Sequence, residues 1–178
     1  MKDSIRQRII EKARDLLFTR TEEEITMTLV ASELGLTAPT LYHYFKGKDE
    51  LLGAGNVLIS AEIVELASLK FPPSIPYEMR IITAVSRIAD YFMVSGLPAA
   101  YLLEDPADRP VSLVKVRELF ALMFAEYKKT LKSVPKISAE QMSLRFLGAV
   151  VADLVYLRSN KKELPEDFAE KVWQHVTL

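Results

Sequence analysis

The chain has 178 residues, 49% of them apolar, which is enough for one ordinary domain or two small ones with a real core. It has no cysteine, which excludes disulfides and thiolate metal sites and leads us to expect a cytoplasmic protein. It also has no uncharged apolar run long enough to cross a membrane, so we expect no membrane partner. Its 23 lysines and arginines nearly balance its 24 aspartates and glutamates, so bulk positive charge cannot drive binding to nucleic acid.

The first predicted helix begins near residue 5. Apolar residues recur there at helical spacing, with charged residues between them. Asp3 or Ser4 can cap this helix, because either side-chain oxygen can accept from a free amide of the first turn. The inner face is predicted to consist of Ile5, Ile9, Ala13, Leu16 and Leu17.

Two short helices are predicted after the interruption "TEEEIT". Thr26 can cap the first of them, and Gly35 ends it because glycine readily adopts the positive φ of a tight turn. Thr37 then caps the second, whose Leu41 and Phe45 point inward. The inner face of the first short helix is predicted to consist of Val30, Ala31 and Leu34.

The rest of the chain is also predicted to be helical. A long apolar-rich helix runs from about residue 49 to 69, and the three prolines of "FPPSIP" end it because proline cannot continue a helix. No alternation of apolar and polar residues indicates a sheet, so the fold class is all-α. We predict an N-terminal domain over residues 1–48, a linking helix over 49–71 and a body over 76–178. Helices of the body are predicted at 77–95, 110–133, 138–159 and 165–177, with a shorter one at 99–103.

The two short helices have the spacing of a helix-turn-helix motif. Ala31 is small where the helices cross, Gly35 makes the turn, and Leu36 fills the gap between them. The second helix can then lie in a major groove, led by its N-terminal residues. Threonine and alanine methyls can contact thymine methyls, and hydroxyls can bond base edges or phosphates. Contact with DNA would explain the exposed hydroxyls and aromatic rings of "TLYHYF" on so short a segment.

The segment "TMTLVASELGLTAPTLYHYFKGKDELL", after a helix ending "ARDLLF", resembles the DNA-binding domain of the TetR family of bacterial and archaeal transcriptional regulators. The resemblance covers about residues 5–52, and its most specific element is "TLYHYFKGKDELL". It implies an all-α homodimer in which each subunit has a three-helix helix-turn-helix DNA-binding domain, a linking helix and a C-terminal helical domain for ligand binding and dimerisation. It also implies a repressor that leaves its operator when a small molecule binds.

The resemblance implies base or phosphate contacts at ten positions. Thr28 and Ala38 are shorter than the residues of many relatives, so we expect groove shape to carry part of the sequence recognition. Lys48 stands at the start of the linking helix, where free amides and the helix dipole favour an anion. Threonines can instead be helix caps, and the tyrosines, the histidine and the lysine can be ordinary surface residues. The ten positions are Thr26, Thr28, Thr37, Ala38, Pro39, Thr40, Tyr42, His43, Tyr44 and Lys48.

The body contains methionine and aromatic residues that suit either an apolar pocket or a packed core. We expect a small apolar or amphipathic effector if they line a pocket. Arg87, Asp90, Arg145 and Asp153 lie in apolar helical segments and can orient a ligand or form ordinary ion pairs. The candidate ligand residues are Tyr91, Phe92, Tyr101, Phe120, Met123, Phe124, Tyr127 and Phe146.

A homodimer through the C-terminal helices is expected. The segment "SLRFLGAVVADLVYL" has a wide apolar face in which Gly148, Ala149 and Ala152 allow close approach, and the mean hydropathy of +0.10 suits a chain that buries surface in a partner. In the resembling family the last two long helices pair across a two-fold axis into a four-helix bundle. Two DNA-binding domains reach half-sites roughly 34–36 Å apart, so we expect a palindromic operator.

An enzyme is the first alternative, and the sequence argues against it. The two histidines, His43 and His175, are far apart, and no metal-spaced cluster, phosphate loop or nucleophile elbow is present. We predict neither catalysis nor a cofactor. A helical interaction module without sequence-specific DNA binding stays open as a second alternative, because residues 1–52 carry eight lysines and arginines against nine aspartates and glutamates.

Overall fold

Eight α-helices form the regular structure of the residues that the computed structural model describes, which are 5–68, 70–98, 112–133 and 135–177. Within these residues every regular element is helical, which confirms the all-α class. In chain order the helices are α1 (Ile5–Leu17), α2 (Met27–Glu33), α3 (Ala38–Tyr42), α4 (Lys48–Ala67), α5 (Tyr77–Ser95), α6 (Ser112–Thr130), α7 (Ala139–Ser159) and α8 (Phe168–Thr177).

The predicted helix boundaries agree with the structure to within a few residues. Helix α5 has the predicted bounds, since a proline precedes it and Gly96 follows it with a left-handed φ of 81°. Helix α8 begins later than predicted, because residues 165–167 form a turn in which the Phe168 amide donates to the Pro165 carbonyl. The short helix predicted at 99–103 and the caps predicted at Asp3 and Ser4 lie outside the described residues.

The N-terminal core is built from α1, α2 and α3. Ile9 and Ala13 of α1 are fully buried, as are Val30 and Leu41 of the two short helices. Ile5 was predicted for the same face and is 43% exposed, because it lies one turn before the point where α1 meets the rest of the core.

Helix α4 packs against α1 and also against α5 and α6 of the body, so it joins the two parts of the molecule. Gly55 marks the crossing of α1 and α4. A Cβ atom there would lie 3.2 Å from the Leu17 Cδ1 atom and 3.3 Å from the Arg14 backbone nitrogen. The absence of a side chain therefore lets α4 lie directly against α1. The predicted boundaries at 48, 71 and 76 stay a prediction.

Gly55→Val is expected to lower the free energy of unfolding by about 1–3 kcal/mol more than Gly53→Val, because only the first substitution overpacks the α1–α4 crossing. Gly53 is the matched control: it lies in the same helix, and a Cβ atom there would meet nothing within 4 Å. Urea denaturation of both variants measures the difference. Equal losses in the two variants would show that the close approach at Gly55 contributes nothing to stability.

The body is held together by α5, α6, α7 and α8. Helix α7 starts with a capping box in which the Ser138 hydroxyl accepts from the Gln141 amide and the Gln141 side chain accepts from the Ser138 amide. Arg158 near the end of α7 donates to the carbonyls of Gly96 at 2.9 Å and Leu97 at 2.7 Å, and also to that of Phe92. This guanidinium satisfies carbonyls at the C-terminus of α5 and fixes α5 to α7.

Candidate nucleic-acid interface

Gly35 sets the turn between α2 and α3. Its φ of 65° lies in the left-handed region, and the Leu36 amide then donates to the Ala31 carbonyl at 2.9 Å, which closes the end of α2. Ala31 is buried, as the predicted close crossing requires. At the other end of α2, the Thr26 hydroxyl accepts from the Leu29 amide at 3.1 Å, which confirms the predicted cap.

Helix α3 has only five residues and is too short to be stable alone. Two fully buried side chains hold it in place: Leu41 in the helix and Phe45 in the turn that follows. The Arg6 guanidinium of α1 lies 5.0 Å from the centre of the Phe45 ring, so α1 contacts this anchor as well. Burial of these two side chains leaves the remaining residues of α3 to face outward.

The predicted cap at Thr37 takes a different form in the structure. Thr37 occupies the N-cap position, but its hydroxyl makes no bond to an amide of α3 and instead lies 2.9 Å from the Thr40 hydroxyl. The physical reason is that Pro39 has no N–H and the Thr40 amide already donates to the Thr37 carbonyl at 2.9 Å. The two hydroxyls therefore form a polar pair at the leading end of α3.

All ten predicted contact residues reach the surface of the described structure. Tyr42 is 56% exposed, so its ring and hydroxyl project from the protein even though its neighbour Leu41 is buried. The exposed group consists of Thr26, Thr28, Thr37, Pro39, Tyr42 and His43, and the partly buried group consists of Ala38, Thr40, Tyr44 and Lys48.

Glu23 is a residue near this surface that sequence reasoning missed. Its own backbone amide, and then the Thr21 side chain, hold the pKa of the Glu23 carboxyl below its usual value, and the positive charge of Lys48 lowers it further. The Glu23 carboxylate therefore lies within electrostatic reach of Lys48. Asp49 and Glu50 add two more carboxylates in the first turn of α4, and that of Glu50 accepts from the Lys46 amide at 2.7 Å.

Glu23→Gln is expected to raise affinity for duplex DNA by about two- to threefold at low salt, because it removes a negative charge beside Lys48. Fluorescence anisotropy with one duplex at several salt concentrations measures the change. Glu163→Gln, an exposed carboxylate between α7 and α8, is the matched control. A gain of the same size in both variants would mean that net charge alone matters and that Glu23 does not act on Lys48.

A polar network joins the N-terminal helices to the body. The Glu62 carboxylate of α4 accepts from the Arg14 guanidinium of α1 through one oxygen and from the Tyr91 hydroxyl of α5, at 2.7 Å, through the other. The rings of Tyr91 and Phe18 meet edge to face with centres 6.0 Å apart. Tyr91, a candidate ligand residue, therefore links α5 to both α1 and α4.

Two adjoining cavities of 490 and 430 Å³ open beside this network. Both are lined by Leu66, Arg87 and Tyr91, and we refer to the two together as the groove between α4 and α5. Phe18 contributes apolar surface at one end and Glu65 a negative charge at the other. The groove can therefore contact both the apolar and the charged part of an amphipathic molecule.

The other candidate ligand residues of the body pack mainly against one another. Phe124 stacks on Trp173 of α8 with ring centres 5.8 Å apart, and Phe146 meets the same indole edge to face. Burial, and secondarily the charge of Glu78, raise the pKa of the Tyr127 hydroxyl above its usual value. Tyr101 lies outside the described residues. Phe92, Phe120, Phe124 and Phe146 are fully buried, and Met123 and Tyr127 are partly buried.

The described residues form an N-terminal helix-turn-helix followed by a larger helical body, which is the architecture of a DNA-binding transcriptional regulator. Residues 9–54 match the family model of the bacterial regulatory proteins of the tetR family. This match confirms, over residues 9–54, the resemblance to the TetR family seen in the sequence. Proteins of this family are transcription factors and not enzymes, in agreement with the prediction.

Solved structures extend the likeness over the whole chain. A tetR-family transcriptional regulator from Streptomyces coelicolor superimposes with a TM-score of 0.72 at 23% identity, over 96% of this chain and 76% of that one. A putative tetR family transcription regulator from Shewanella sp. PV-4 gives 0.76 at 14% identity, over 98% and 96%. AmtR of Mycobacterium smegmatis gives 0.68 at 21% identity, over 99% and 88%. At these identities the shared property is the fold.

Comparison with curated protein sequences found no significant match. Within the residues that the structure describes, no helix is long and apolar enough to cross a membrane. The same residues contain no group of three or more histidine, aspartate or glutamate side chains placed to hold a metal ion.

Proposed function

We propose that the protein is a repressor that binds a palindromic operator as a homodimer and leaves it when a small effector binds the body. The observation that carries the proposal is the placement of α3. Buried Leu41 and Phe45 fix this short helix, while Thr37 and Tyr42 stay exposed. A helix held in this way presents its N-terminal residues to the edges of bases in a major groove.

The ten surface residues would have different roles in DNA recognition. We assign base contacts to the leading end of α3, where Thr40 and Ala38 offer a hydroxyl and two methyl groups. We assign phosphate contacts to Tyr42, Tyr44 and Lys48, which carry donors at the end of α3 and the start of α4. Since few of these side chains are long, groove shape should contribute to sequence preference.

The proposed homodimer uses apolar surface that a single chain leaves exposed. Leu144, Val155 and Tyr156 of α7 are each about half exposed, which is unusual for large apolar side chains on one helix of a monomer. Two chains joined there would carry two helix-turn-helix motifs and match a palindrome. A regulator of chromosomal DNA in a bacterium or archaeon would act in the cytoplasm.

The groove between α4 and α5 suits an amphipathic effector. A molecule bound there would contact Tyr91 and lie beside Glu62, which holds α1 through Arg14. Weakening that network would free α4 to tilt relative to the body and change the spacing of the two α3 helices. The effector can shift this equilibrium only by binding one spacing more tightly than the other.

A gel shift with the duplex upstream of the gene itself tests DNA binding. Binding at low salt that weakens steeply with added salt, and that resists competition by unrelated duplex, supports the regulator. The second candidate is a helical interaction module that uses the same scaffold without reading DNA, which the near-neutral N-terminal domain favours. No shift even at low salt, where phosphate contacts are strongest, would support that module.

A further inference from the structure

The end of α5 contacts the end of α1 directly, backbone against backbone. Gly96 follows α5 with a left-handed φ of 81°, and a Cβ atom there would lie 2.8 Å from the backbone oxygen of Phe18, the first residue after α1. Cβ atoms do not approach other atoms so closely, so only glycine allows this contact. Beside it, the ring of Tyr91 meets the ring of Phe18 edge to face. The N-terminal helices therefore touch the body through residues that do not belong to α4.

This second attachment limits how the N-terminal helices can move relative to the body. Helix α4 packs against α1 on one side and against α5 and α6 on the other. With that attachment alone, α1 and the two short helices could turn about the line of α4 as a rigid unit. A contact away from that line, between Phe18 and Gly96, opposes the rotation. The orientation of α3 should therefore depend on where the end of α5 is held.

Arg158 of α7 holds the end of α5. Helix α5 has no basic residue in its own last turn. The carbonyls of Gly96 and Leu97 instead accept from the Arg158 guanidinium at 2.9 and 2.7 Å, and the Phe92 carbonyl accepts from the same group. A planar guanidinium offers several donors in fixed directions, and its positive charge suits the negative end of a helix dipole. Arg158 thus binds the same glycine whose backbone lies against Phe18.

We infer that Arg158 positions the DNA-binding domain without touching DNA. By fixing Gly96 it sets where α1 lies relative to α7, and α1 carries α2 and α3. The ordinary alternative is a cap that only stabilises the body. Such a cap needs no contact beyond α5, whereas this one binds a glycine whose missing side chain leaves room for Phe18. The inference rests on the proposed function, in which the spacing of two α3 helices decides operator binding.

The same contact borders the groove between α4 and α5. Phe18, Tyr91 and Ser95 line its larger cavity, and Ser95 is the residue before Gly96. A molecule bound in that cavity would therefore lie beside the contact that Arg158 stabilises. A shift of the end of α5 would then change the position of α1 even if α4 stayed in place.

The distance between the two parts of the chain tests the inference without DNA. The absence of native cysteine lets spin labels be attached at Ser32→Cys on α2 and Lys129→Cys on α6, both exposed positions. Excess unlabelled chain ensures that each assembly carries one labelled copy. Pulsed electron paramagnetic resonance should give one narrow distance with Arg158 in place. Arg158→Met should broaden or shift this distance, and Arg158→Lys, which keeps part of the hydrogen bonding, should have a smaller effect.

Two further variants make the distance measurement specific. Arg145→Met removes an exposed arginine from the same helix and should leave the distance unchanged. Gly96→Ala keeps Arg158 but places a methyl group against the Phe18 carbonyl, so it should displace α1. An unchanged distance in either Arg158→Met or Gly96→Ala would overturn the inference, and Arg158→Lys replaces the methionine variant if that variant does not fold.

Operator spacing tests the consequence for DNA binding, in variants whose cooperative unfolding is preserved. If about one in five Arg158→Met chains has the correct spacing of its α3 helices, affinity for the duplex selected from random DNA falls by roughly fivefold. The variant should also discriminate less against that duplex lengthened by two base pairs at its centre, because a looser domain reaches either spacing. Unchanged discrimination would contradict the inference. A wild-type chain that binds no duplex would contradict only the proposed function, because the distance measurement needs no DNA.

Discussion

Phe45→Ala is expected to abolish specific DNA binding while the body stays folded. The Phe45 side chain is fully buried under α3, so its loss should cost about 3–5 kcal/mol. A five-residue helix cannot hold its orientation once that anchor is gone. Equilibrium denaturation, monitored by circular dichroism, measures the loss of stability. A binding titration at one temperature measures the loss of affinity for DNA.

Phe120→Ala is the control for this substitution, because it removes an equally buried phenylalanine from the body. It should destabilise the chain by a similar amount but retain DNA binding under conditions where the chain is still folded. If Phe45→Ala bound the same duplex as tightly as the wild type, α3 would not be the element that contacts DNA.

Lys48→Ala is expected to weaken operator binding by about tenfold. It should also reduce the slope of log affinity against log salt concentration by roughly one, which corresponds to one released counterion. The reason is that, in the proposed interface, the ammonium group of Lys48 at the start of α4 contacts a phosphate together with the free amides of the first turn. Affinity measured across a salt series gives both quantities. Tyr42→Phe, which removes one exposed hydroxyl, should act in the same direction with a smaller effect.

Lys70→Ala is the matched control, since Lys70 is an exposed lysine beyond the opposite end of α4. It should leave both the affinity and the salt dependence unchanged. Equal effects of the two lysine substitutions would attribute the loss to net charge, and no effect of Lys48→Ala would remove α4 from the interface.

Local signals made the helices and the helix-turn-helix predictable. Gly35 and Thr26 have the roles that their residue types imply, because a left-handed turn and an N-cap depend on only a few neighbouring residues. Thr37 is not the hydrogen-bonding cap that its residue type predicts, because Pro39 two positions later has no amide hydrogen to donate. Ile5 fits the helical period but lies beyond the reach of the core.

Contacts between distant parts of the chain could not be predicted from spacing. Glu62 is 48 residues from Arg14 and 29 from Tyr91, and nothing in the sequence pairs them. The same holds for Trp173, which proved to be the residue around which Phe124, Phe146 and Tyr127 pack. Aromatic residues at helical spacing fit a pocket or a core equally well, and burial in three dimensions is needed to separate the two.

Selection of bound fragments from random duplex DNA, carried out in parallel with the wild-type chain and with Thr40→Ala, tests the central claim most directly. Recognition by the leading end of α3 predicts a palindromic motif whose half-sites lie about one helical turn apart, and a changed preference or reduced enrichment at specific positions for Thr40→Ala. Absence of any enriched motif, or the same motif with equal enrichment in both selections, would contradict it.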